Sequence, residues 1–264
     1  MKNIIVCIKQ VPDTAEVKLD PITGTLIRNG VPSIINPDDK AGIEIALQLK
    51  EKTGAKVTVV SMGPMQADIA MREALAMGCD EAVLLSGKEF AGSDTWATSS
   101  AIAAAIKNLP YDVIIAGRQA IDGDTAQVGP QIAEHLGIPQ ISYVSGVEVE
   151  KDMLIVKRDF EDRSHIIEAQ TPLLLTTLGE SIEPRYMSVG GVFDAYREKE
   201  VNVWSYENIK DNVDPSNLGL KGSPTRVRKS YAKPVKASGV IHDQISPDEA
   251  VIIILDKLKE RHII

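Results

Sequence analysis

The chain contains a short apolar run, Asp112-Val113-Ile114-Ile115-Ala116, which is followed by a glycine-containing loop and an amphipathic segment, Thr125–Leu136. The run does not alternate with polar residues, which predicts a strand buried on both faces of a sheet. The same unit occurs earlier, with strands predicted at Ile4–Ile8, Lys56–Ser61 and Ala82–Ser86, and helices at Asp38–Lys52, Gln66–Met77 and Asp94–Lys107. Strands that alternate with helices predict an α/β fold, with an open, mostly parallel twisted sheet and helices on both faces.

The pattern changes after about residue 140. Consecutive strands are predicted at Ser142–Val149, Met153–Arg158, His165–Gln170 and Leu173–Leu178, followed by a helix at Val189–Glu198. Residues 205–245 have little periodicity but keep many apolar side chains, which favours an extended arm that contacts a partner over a solvated tail. A last helix, Pro247–Glu260, would turn Val251, Ile254, Leu255 and Leu258 inward. We therefore divide the chain into an α/β nucleotide-binding domain, 1–200, and a C-terminal arm and helix, 201–264.

Composition excludes several classes of protein. With 264 residues, of which 44% are hydrophobic, the chain can bury a large core. The formal net charge of −8 argues against nucleic acid as a partner. No apolar run approaches the roughly 20 residues that span a bilayer, so we expect no membrane contact. The two cysteines have no metal-ligand spacing, which indicates reduced thiols in a cytoplasmic protein.

Ligands of open parallel sheets bind beyond the carboxyl ends of the strands. The loop with the most chemistry there is Gly117–Asp124, which leads into the helix predicted from Thr125. Its glycines allow close backbone approach, and free amides at a helix start can bind an anion. An ordinary Asp-capped helix after a glycine turn explains the same residues. Asp122 and Asp124 would repel a polyphosphate unless they bind ribose hydroxyls or cap backbone amides.

The sequence has neither the phosphate-loop motif nor a G-x-G-x-x-G motif after its first strand, and no nucleophile with an acid–base partner. His135, His165 and His262 are typical of packed or solvated side chains, and neither cysteine lies in a nucleophile motif. We expect no catalytic side chain and no metal ligands.

Several motifs, in this order and spacing, resemble the β subunit of electron transfer flavoproteins over essentially the whole chain. The most specific is Gly117-Arg118-Gln119-Ala120-Ile121-Asp122-Gly123-Asp124. The others are Cys7-Ile8-Lys9-Gln10-Val11-Pro12-Asp13, Asn36-Pro37-Asp38-Asp39, Met62-Gly63-Pro64, Ala74-Leu75-Ala76-Met77-Gly78 and Glu183-Pro184-Arg185-Tyr186.

The resemblance implies a heterodimer with an α subunit, in which flavin moves electrons between dehydrogenases. Simpler members of that family hold a structural AMP in the β subunit, whereas electron-bifurcating members hold a second FAD there that NADH reduces. One electron then goes to a low-potential acceptor such as ferredoxin or flavodoxin, and the other passes through the α-subunit FAD to an acyl-CoA or lactate dehydrogenase. Val11-Pro12-Asp13-Thr14 and Asp122–Gly129 look more like the bifurcating members. Residues Gly179–Glu200 would then dock the acceptor dehydrogenase.

The resemblance also assigns site residues. Asp94, Thr95 and Thr98 would meet the nicotinamide nucleotide. Those assigned to the FAD or AMP are Cys7, Lys9, Val11, Pro12, Asn36, Pro37, Asp38, Asp39, Met62, Gly63, Gly117, Arg118, Gln119, Ala120, Ile121, Asp122, Gly123, Asp124, Thr125, Ala126, Gln127 and Val128.

Two alternatives to a bifurcating subunit remain open. The chain could be a non-bifurcating β subunit with AMP, or a stand-alone adenine-nucleotide-binding module. An ATP-pyrophosphate-splitting enzyme would want a Ser-Gly-Gly-type loop after the first strand, and Lys9-Gln10-Val11-Pro12 is not such a loop.

Overall fold

The computed structural model describes residues 1–13, 32–151, 153–228 and 239–264. The described residues up to 228 belong to one compact unit, and residues 239–264 belong to a second one. A hairpin that the sequence suggests around Asp20–Gly24 lies outside the described residues.

The larger unit is built on a single nine-stranded sheet. The strands of the chain are β1 (Asn3–Cys7), β2 (Gln10–Pro12), β3 (Ser33–Ile35), β4 (Lys56–Met62), β5 (Glu81–Leu85), β6 (Val113–Gly117), β7 (Gln140–Glu150), β8 (Met153–Asp159), β9 (Ser164–Ala169), β10 (Leu173–Thr177) and β11 (Val201–Trp204). Their order in the sheet is β11-β5-β4-β1-β6-β10-β7-β8-β9, and β2 pairs with β3 in a separate small ribbon. Strands β11 to β7 are parallel, and β8 and β9 extend the sheet in antiparallel fashion.

Helices cover both faces of this sheet, as the two sets of buried apolar residues around it show. The helices are α1 (Pro37–Thr53), α2 (Asp68–Met77), α3 (Thr95–Ile106), α4 (Val128–Leu136), α5 (Val189–Arg197), α6 (Tyr206–Ile209), α7 (Gly219–Gly222) and α8 (Pro247–Glu260). The predicted α/β class with a mostly parallel sheet is therefore confirmed.

One helix begins later than the sequence pattern predicts. Helix α4 starts at Val128 rather than Thr125. Asp124 and Ala126 both have φ of 53°, a left-handed conformation that cannot continue into a right-handed helix. The loop after β6 is thereby extended to Gln127.

The division between the sheet domain and the arm also differs from the sequence-based boundary at residue 200. Strand β11 pairs with β5 in parallel at the edge of the sheet. Ile209 and Leu218 are buried and belong to one of the two apolar clusters that pack on the sheet. Short elements of this kind carry no periodicity to read, so residues 201–228 looked irregular in the sequence.

Helix α8 begins with a capping box, in which Ser246 and Glu249 bond each other's backbone amides. None of its residues is buried. The face predicted to turn inward is exposed at Val251, Ile254 and Leu255.

Candidate functional site

The carboxyl ends of β1, β4 and β6 lie side by side at one edge of the sheet, and the loops that follow them form a cleft. The cleft has an empty volume of about 740 Å³, including the part that is open to solvent. Its lining mixes apolar and polar groups: Lys9, Gln10, Val11, Pro12, Ser33, Ser61, Met62, Gly63, Pro64, Gln66, Ala67 and Asp122. A concave surface that combines apolar side chains with a few polar groups is typical of small-molecule sites.

Asp39, in the first turn of α1, ties two of these loops together. Its carboxylate accepts hydrogen bonds from the amide of Lys9, at 2.7 Å, and from the amide of Gly117, at 2.9 Å. Burial raises the pKa of Asp39 to about 7, and these bonds to the ionised form oppose that rise. Both oxygens of the Asp39 carboxylate are thus occupied by amides of the loop backbone.

Asp38 does the same for the next strands. Its carboxylate accepts the amides of Gly179, at 2.8 Å, and Gln119, at 3.3 Å, after β10 and β6 respectively. Asn36 completes the arrangement, because its side chain donates to the Gln119 carbonyl and accepts from the Ile121 amide. Asn36, Asp38 and Asp39 therefore shape the loops, as buried polar groups with satisfied hydrogen bonds do.

Glycine is required at the closest of these approaches. A Cβ atom added to Gly117 would lie 2.1 Å from Oδ1 of Asp39 and 2.8 Å from Cβ of Asp38. At Gly123, farther along the same loop, an added Cβ would meet nothing within 4 Å. The two glycines thus have different roles: Gly117 permits a buried contact, and Gly123 leaves open space.

The loop from Thr125 to the start of α4 presents free backbone donors. The amides of Thr125, Ala126, Gln127, Val128 and Gly129 have no acceptor among the described residues, and α4 has no side-chain cap there. The helix dipole adds a partial positive charge at the same place. An anion can therefore bind there through backbone amides alone.

The two aspartates of this loop have partners of their own. Asp122 forms an ion pair of 2.6 Å with Lys9 at the cleft, and Asp124 accepts a hydrogen bond from the side chain of Gln119. The charge of Asp122 is thereby offset by Lys9, and the Asp124 carboxylate is held by a neutral amide.

Other residues assigned by the resemblance line the cleft, lie at the end of β1 or lie at the start of α3. Val11, Pro12, Met62 and Gly63 line the cleft with Lys9. Cys7 is buried at the end of β1, where burial and the charge of Asp39 raise its thiol pKa to about 12, well above the range of reactive thiols.

The third place is the start of α3. The Asp94 carboxylate caps this helix at the Ala97 amide and accepts the Thr225 amide and hydroxyl. Thr95 donates to the side chain of Gln127, 3.0 Å away, which links α3 to the loop after β6.

Three further polar residues line the cleft, although the resemblance assigned none of them individually: Gln10, Ser61 and Gln66. Ser61 lies near the end of a predicted strand, which could have marked it; Gln66 lies in a short 3₁₀ turn with no such signal.

The described residues contain no group of three His, Cys, Asp or Glu placed to hold a metal ion. In the same part of the chain, the structure shows no helix with the length and apolarity needed to traverse a bilayer. His135 packs against Trp96 and hydrogen-bonds Ser99 and Ser100, away from the cleft.

Known proteins resemble this chain over nearly its whole length. A family model described as the electron transfer flavoprotein domain matches residues 23–208. The chain is 59% identical to the "Electron transfer flavoprotein subunit beta" of Clostridium acetobutylicum, over 99% of this chain and 100% of that protein. It is 51% identical to "Caffeyl-CoA reductase-Etf complex subunit CarD" of Acetobacterium woodii, with coverage of 99% and 100%. It is 48% identical to "Acryloyl-CoA reductase electron transfer subunit gamma" of Anaerotignum propionicum, with the same coverage. The chain therefore belongs to the electron transfer flavoprotein family, as a subunit of the β type.

Proposed function

We propose that this chain is the β subunit of an electron-bifurcating electron transfer flavoprotein, which binds FAD at the carboxyl edge of its sheet and accepts electrons from NADH. The observation that carries the proposal is that the loop after β6 contributes Asp122 to a cleft of mixed apolar and polar lining and then ends in free backbone amides at the start of α4. FAD has both parts that such a site needs: a flat ring with an apolar face and polar edge, and a diphosphate.

The residues present fit the dinucleotide. Five consecutive free amides, from Thr125 to Gly129, offer the donors that a diphosphate needs without requiring a cationic side chain. Asp38 and Asp39 bond loop amides, so neither carboxylate opposes an anionic ligand. Val11, Pro12 and Met62 give the cleft apolar surface for a ring, and Gln10 and Gln66 give polar groups for its edge.

The bound flavin would supply the redox chemistry, because it can accept a hydride and release electrons singly. The protein's own groups bind and orient. The loop amides hold phosphate oxygens, Lys9 and Asp122 form a paired wall at the cleft, and the Asp39 bonds keep the loops after β1 and β6 at fixed separation. No side-chain nucleophile is needed.

Two further surfaces fit the expected partners. Residues 186–196 expose a group of apolar side chains that would dock an acyl-CoA or lactate dehydrogenase: Tyr186, Met187, Val189, Val192, Phe193 and Tyr196. The exposed apolar face of α8, with the arm before it, would contact the α subunit. Exposed patches of this kind mark protein–protein contacts. Ferredoxin or flavodoxin would take the low-potential electron, and the buried, free cysteines suit a reducing cytoplasm.

The names of two relatives support the bifurcating type, since they place those proteins in caffeyl-CoA reductase and acryloyl-CoA reductase systems. The second candidate is a non-bifurcating β subunit that holds AMP. It is favoured by the same amides at α4, which bind one phosphate as well as two. A stand-alone adenine-nucleotide module gives no role to the exposed faces of α5 and α8.

Cofactor content separates these readings. The chain is purified together with its α subunit, and released nucleotides are separated after denaturation. We expect two FAD and no AMP per heterodimer. One FAD and one AMP would refute the bifurcating proposal, and a chain that stays alone with neither would refute the flavoprotein role as well.

A matched pair of lysine variants tests the site itself. Lys9→Met leaves Asp122 unpaired in the cleft and should lower nucleotide retention in the β subunit. Lys56→Met is the matched control, because Lys56 is about as exposed as Lys9 and pairs with Glu81 at the opposite end of the strands. Equal retention in both variants would contradict the location of the site.

A further inference from the structure

The docking segment, defined here as residues 179–200, is held rigidly although its outer surface is exposed. Tyr186 and Val189 are 93% and 91% exposed, whereas Ala195 on the inner side of α5 is buried. Helix α5 lies directly on α2: a Cβ added to Gly191 would be 2.3 Å from the carbonyl oxygen of Ala76. The exposed apolar group is thus displayed on a helix whose back is fixed.

The approach to α5 is fixed by one arginine. Nε and Nη2 of Arg185 donate to the two carboxylate oxygens of Glu44 on α1, at 2.8 and 2.9 Å, and the Arg185 amide donates to Glu44 as well, at 3.0 Å. Its Nη1 reaches Glu51. The Glu44 side chain is 7% exposed and that of Arg185 32%. A paired fork of this kind fixes direction as well as distance.

A second arginine fixes the far end of α5. Nη1 of Arg72 donates to the Ala195 carbonyl, at 2.5 Å, while its Nε bonds Asp68 at 2.8 Å. The Arg72 guanidinium lies 5.3 Å from the ring centre of Tyr196. Helices α1 and α2 therefore each hold one end of the exposed group.

Helix α1 serves two places at once. Its first turn carries Asp38, which bonds Gly179 where the docking segment begins, and Asp39, which bonds the loops of the cleft. Glu44 follows little more than one turn later on the same helix. The start of the docking segment and the cleft loops are thus both hydrogen-bonded to the first turn of α1.

We propose that Glu44 and Arg185 are positioning residues, which hold the docking segment in the conformation that the acceptor dehydrogenase binds. The inference rests on the proposed docking role of this segment. Ordering residues 186–196 before contact reduces the entropy lost on binding, so the pair acts on acceptor affinity without touching the flavin or the acceptor.

The test compares four variants in the complete α/β heterodimer: Glu44→Gln, Arg185→Lys, Glu51→Gln and Val189→Asp. Glu44→Gln removes the charge from the fork but keeps the side-chain volume. Glu51→Gln is the matched control, because that carboxylate is 60% exposed and contacts only the outer nitrogen of Arg185. Val189→Asp alters the exposed group directly and reports whether this surface docks at all. Hydrogen exchange of amides 186–197 is measured first, followed by KM and kcat with an acyl-CoA dehydrogenase of the source organism as acceptor.

For Glu44→Gln we expect exchange in 186–197 to become about tenfold faster, since a charge-assisted hydrogen bond is lost. KM for the acceptor should rise about three- to tenfold as the competent population falls, with kcat and bound nucleotide unchanged. Arg185→Lys, which keeps the charge but not the fork, should show the same pattern. Glu51→Gln should leave both readouts within about twofold of the unaltered protein.

The failures are distinguishable. If Val189→Asp raises the acceptor KM and Glu44→Gln does not, the positioning role is wrong and the docking surface stands. If Val189→Asp has no effect, the docking role is wrong, and the positioning role falls with it even if exchange accelerates.

Discussion

Gly117→Ala is the substitution whose effect follows most directly from the geometry of the cleft. The new methyl carbon would lie 2.1 Å from Oδ1 of Asp39, 2.8 Å from its amide nitrogen and 2.8 Å from Cβ of Asp38. Two of these atoms belong to backbone or to a Cβ, which cannot move aside as the tip of a flexible side chain can. The start of α1 and the end of β6 must therefore separate.

The cost has two parts. Overpacking of a buried site costs about 1–3 kcal/mol. The hydrogen bond from the Gly117 amide to Asp39 lengthens or breaks, which costs about 1.5–3 kcal/mol because the acceptor is charged. Partial relaxation makes the two overlap, so the free energy of unfolding should fall by about 2–5 kcal/mol. At about 2–4 °C per kcal/mol, the unfolding midpoint should drop by roughly 4–20 °C.

The assay is thermal unfolding of the co-purified heterodimer, with bound nucleotide counted in parallel. Gly123→Ala is the matched control, because the same methyl group there meets nothing within 4 Å and the residue has no positive φ. We expect Gly117→Ala to lower both the midpoint and the nucleotide retained by the β subunit. An unfolding midpoint within about 1 °C of that of the Gly123→Ala protein, with full nucleotide retention, would refute the close contact of Gly117 with Asp38 and Asp39.

Three shorter predictions concern carboxylates. Burial holds the pKa of Asp39 near 7, above its ordinary 3.8, so ionising this group lowers the free energy of unfolding increasingly as pH rises from about 4 to 7. The free energy of unfolding of Asp39→Asn, relative to that of the unaltered chain, should therefore rise with pH by up to about 1.4 kcal/mol per pH unit. A difference that does not change with pH would contradict burial of the charge. Burial opposes ionisation of Glu44, but the hydrogen bonds from Arg185 outweigh it and lower the pKa of Glu44. The stabilising contribution of Glu44 should therefore be present above about pH 4.5 and disappear as pH falls further. In urea unfolding, the midpoints of Glu44→Gln and of the unaltered protein should differ at neutral pH and converge in acid. Asp94→Ala removes the cap of α3 and should cost about 1–2 kcal/mol, read from the urea midpoint; an unchanged midpoint would mean that the bonds to Ala97 and Thr225 contribute nothing.

Much of the fold could be predicted because its strands follow one simple rule. Val113–Gly117 and Lys56–Met62 are apolar on both faces, and this signal survives without any knowledge of their neighbours. The helix ends at Gly54, Gly78 and Gly137 were equally visible, since glycine is the residue that ends helices. Strand β11 has only four residues and depends on pairing with β5, which no local pattern reveals.

The loops of the candidate site could be predicted from the sequence, but the contacts that their residues make could not. Asp38 and Asp39 stand where a ligand would be expected, and only the structure shows that their oxygens are occupied by the amides of loops distant in sequence. The pairing of Glu44 with Arg185, 141 residues apart, has no signal in a single sequence. Asp124 and Ala126 likewise look like ordinary helix starts until their backbone angles are known.

The most direct test of the central claim is an anaerobic titration of the complete heterodimer with NADH, followed by flavin absorbance. If the β subunit holds an FAD that NADH reduces, the absorbance should bleach completely with two equivalents of NADH per heterodimer, one for each flavin. Because Gly117→Ala weakens the β site, this variant should consume one equivalent of NADH as purified and two equivalents once FAD is added. A flavin absorbance that NADH leaves unchanged, in a heterodimer with its full nucleotide content, would contradict the account.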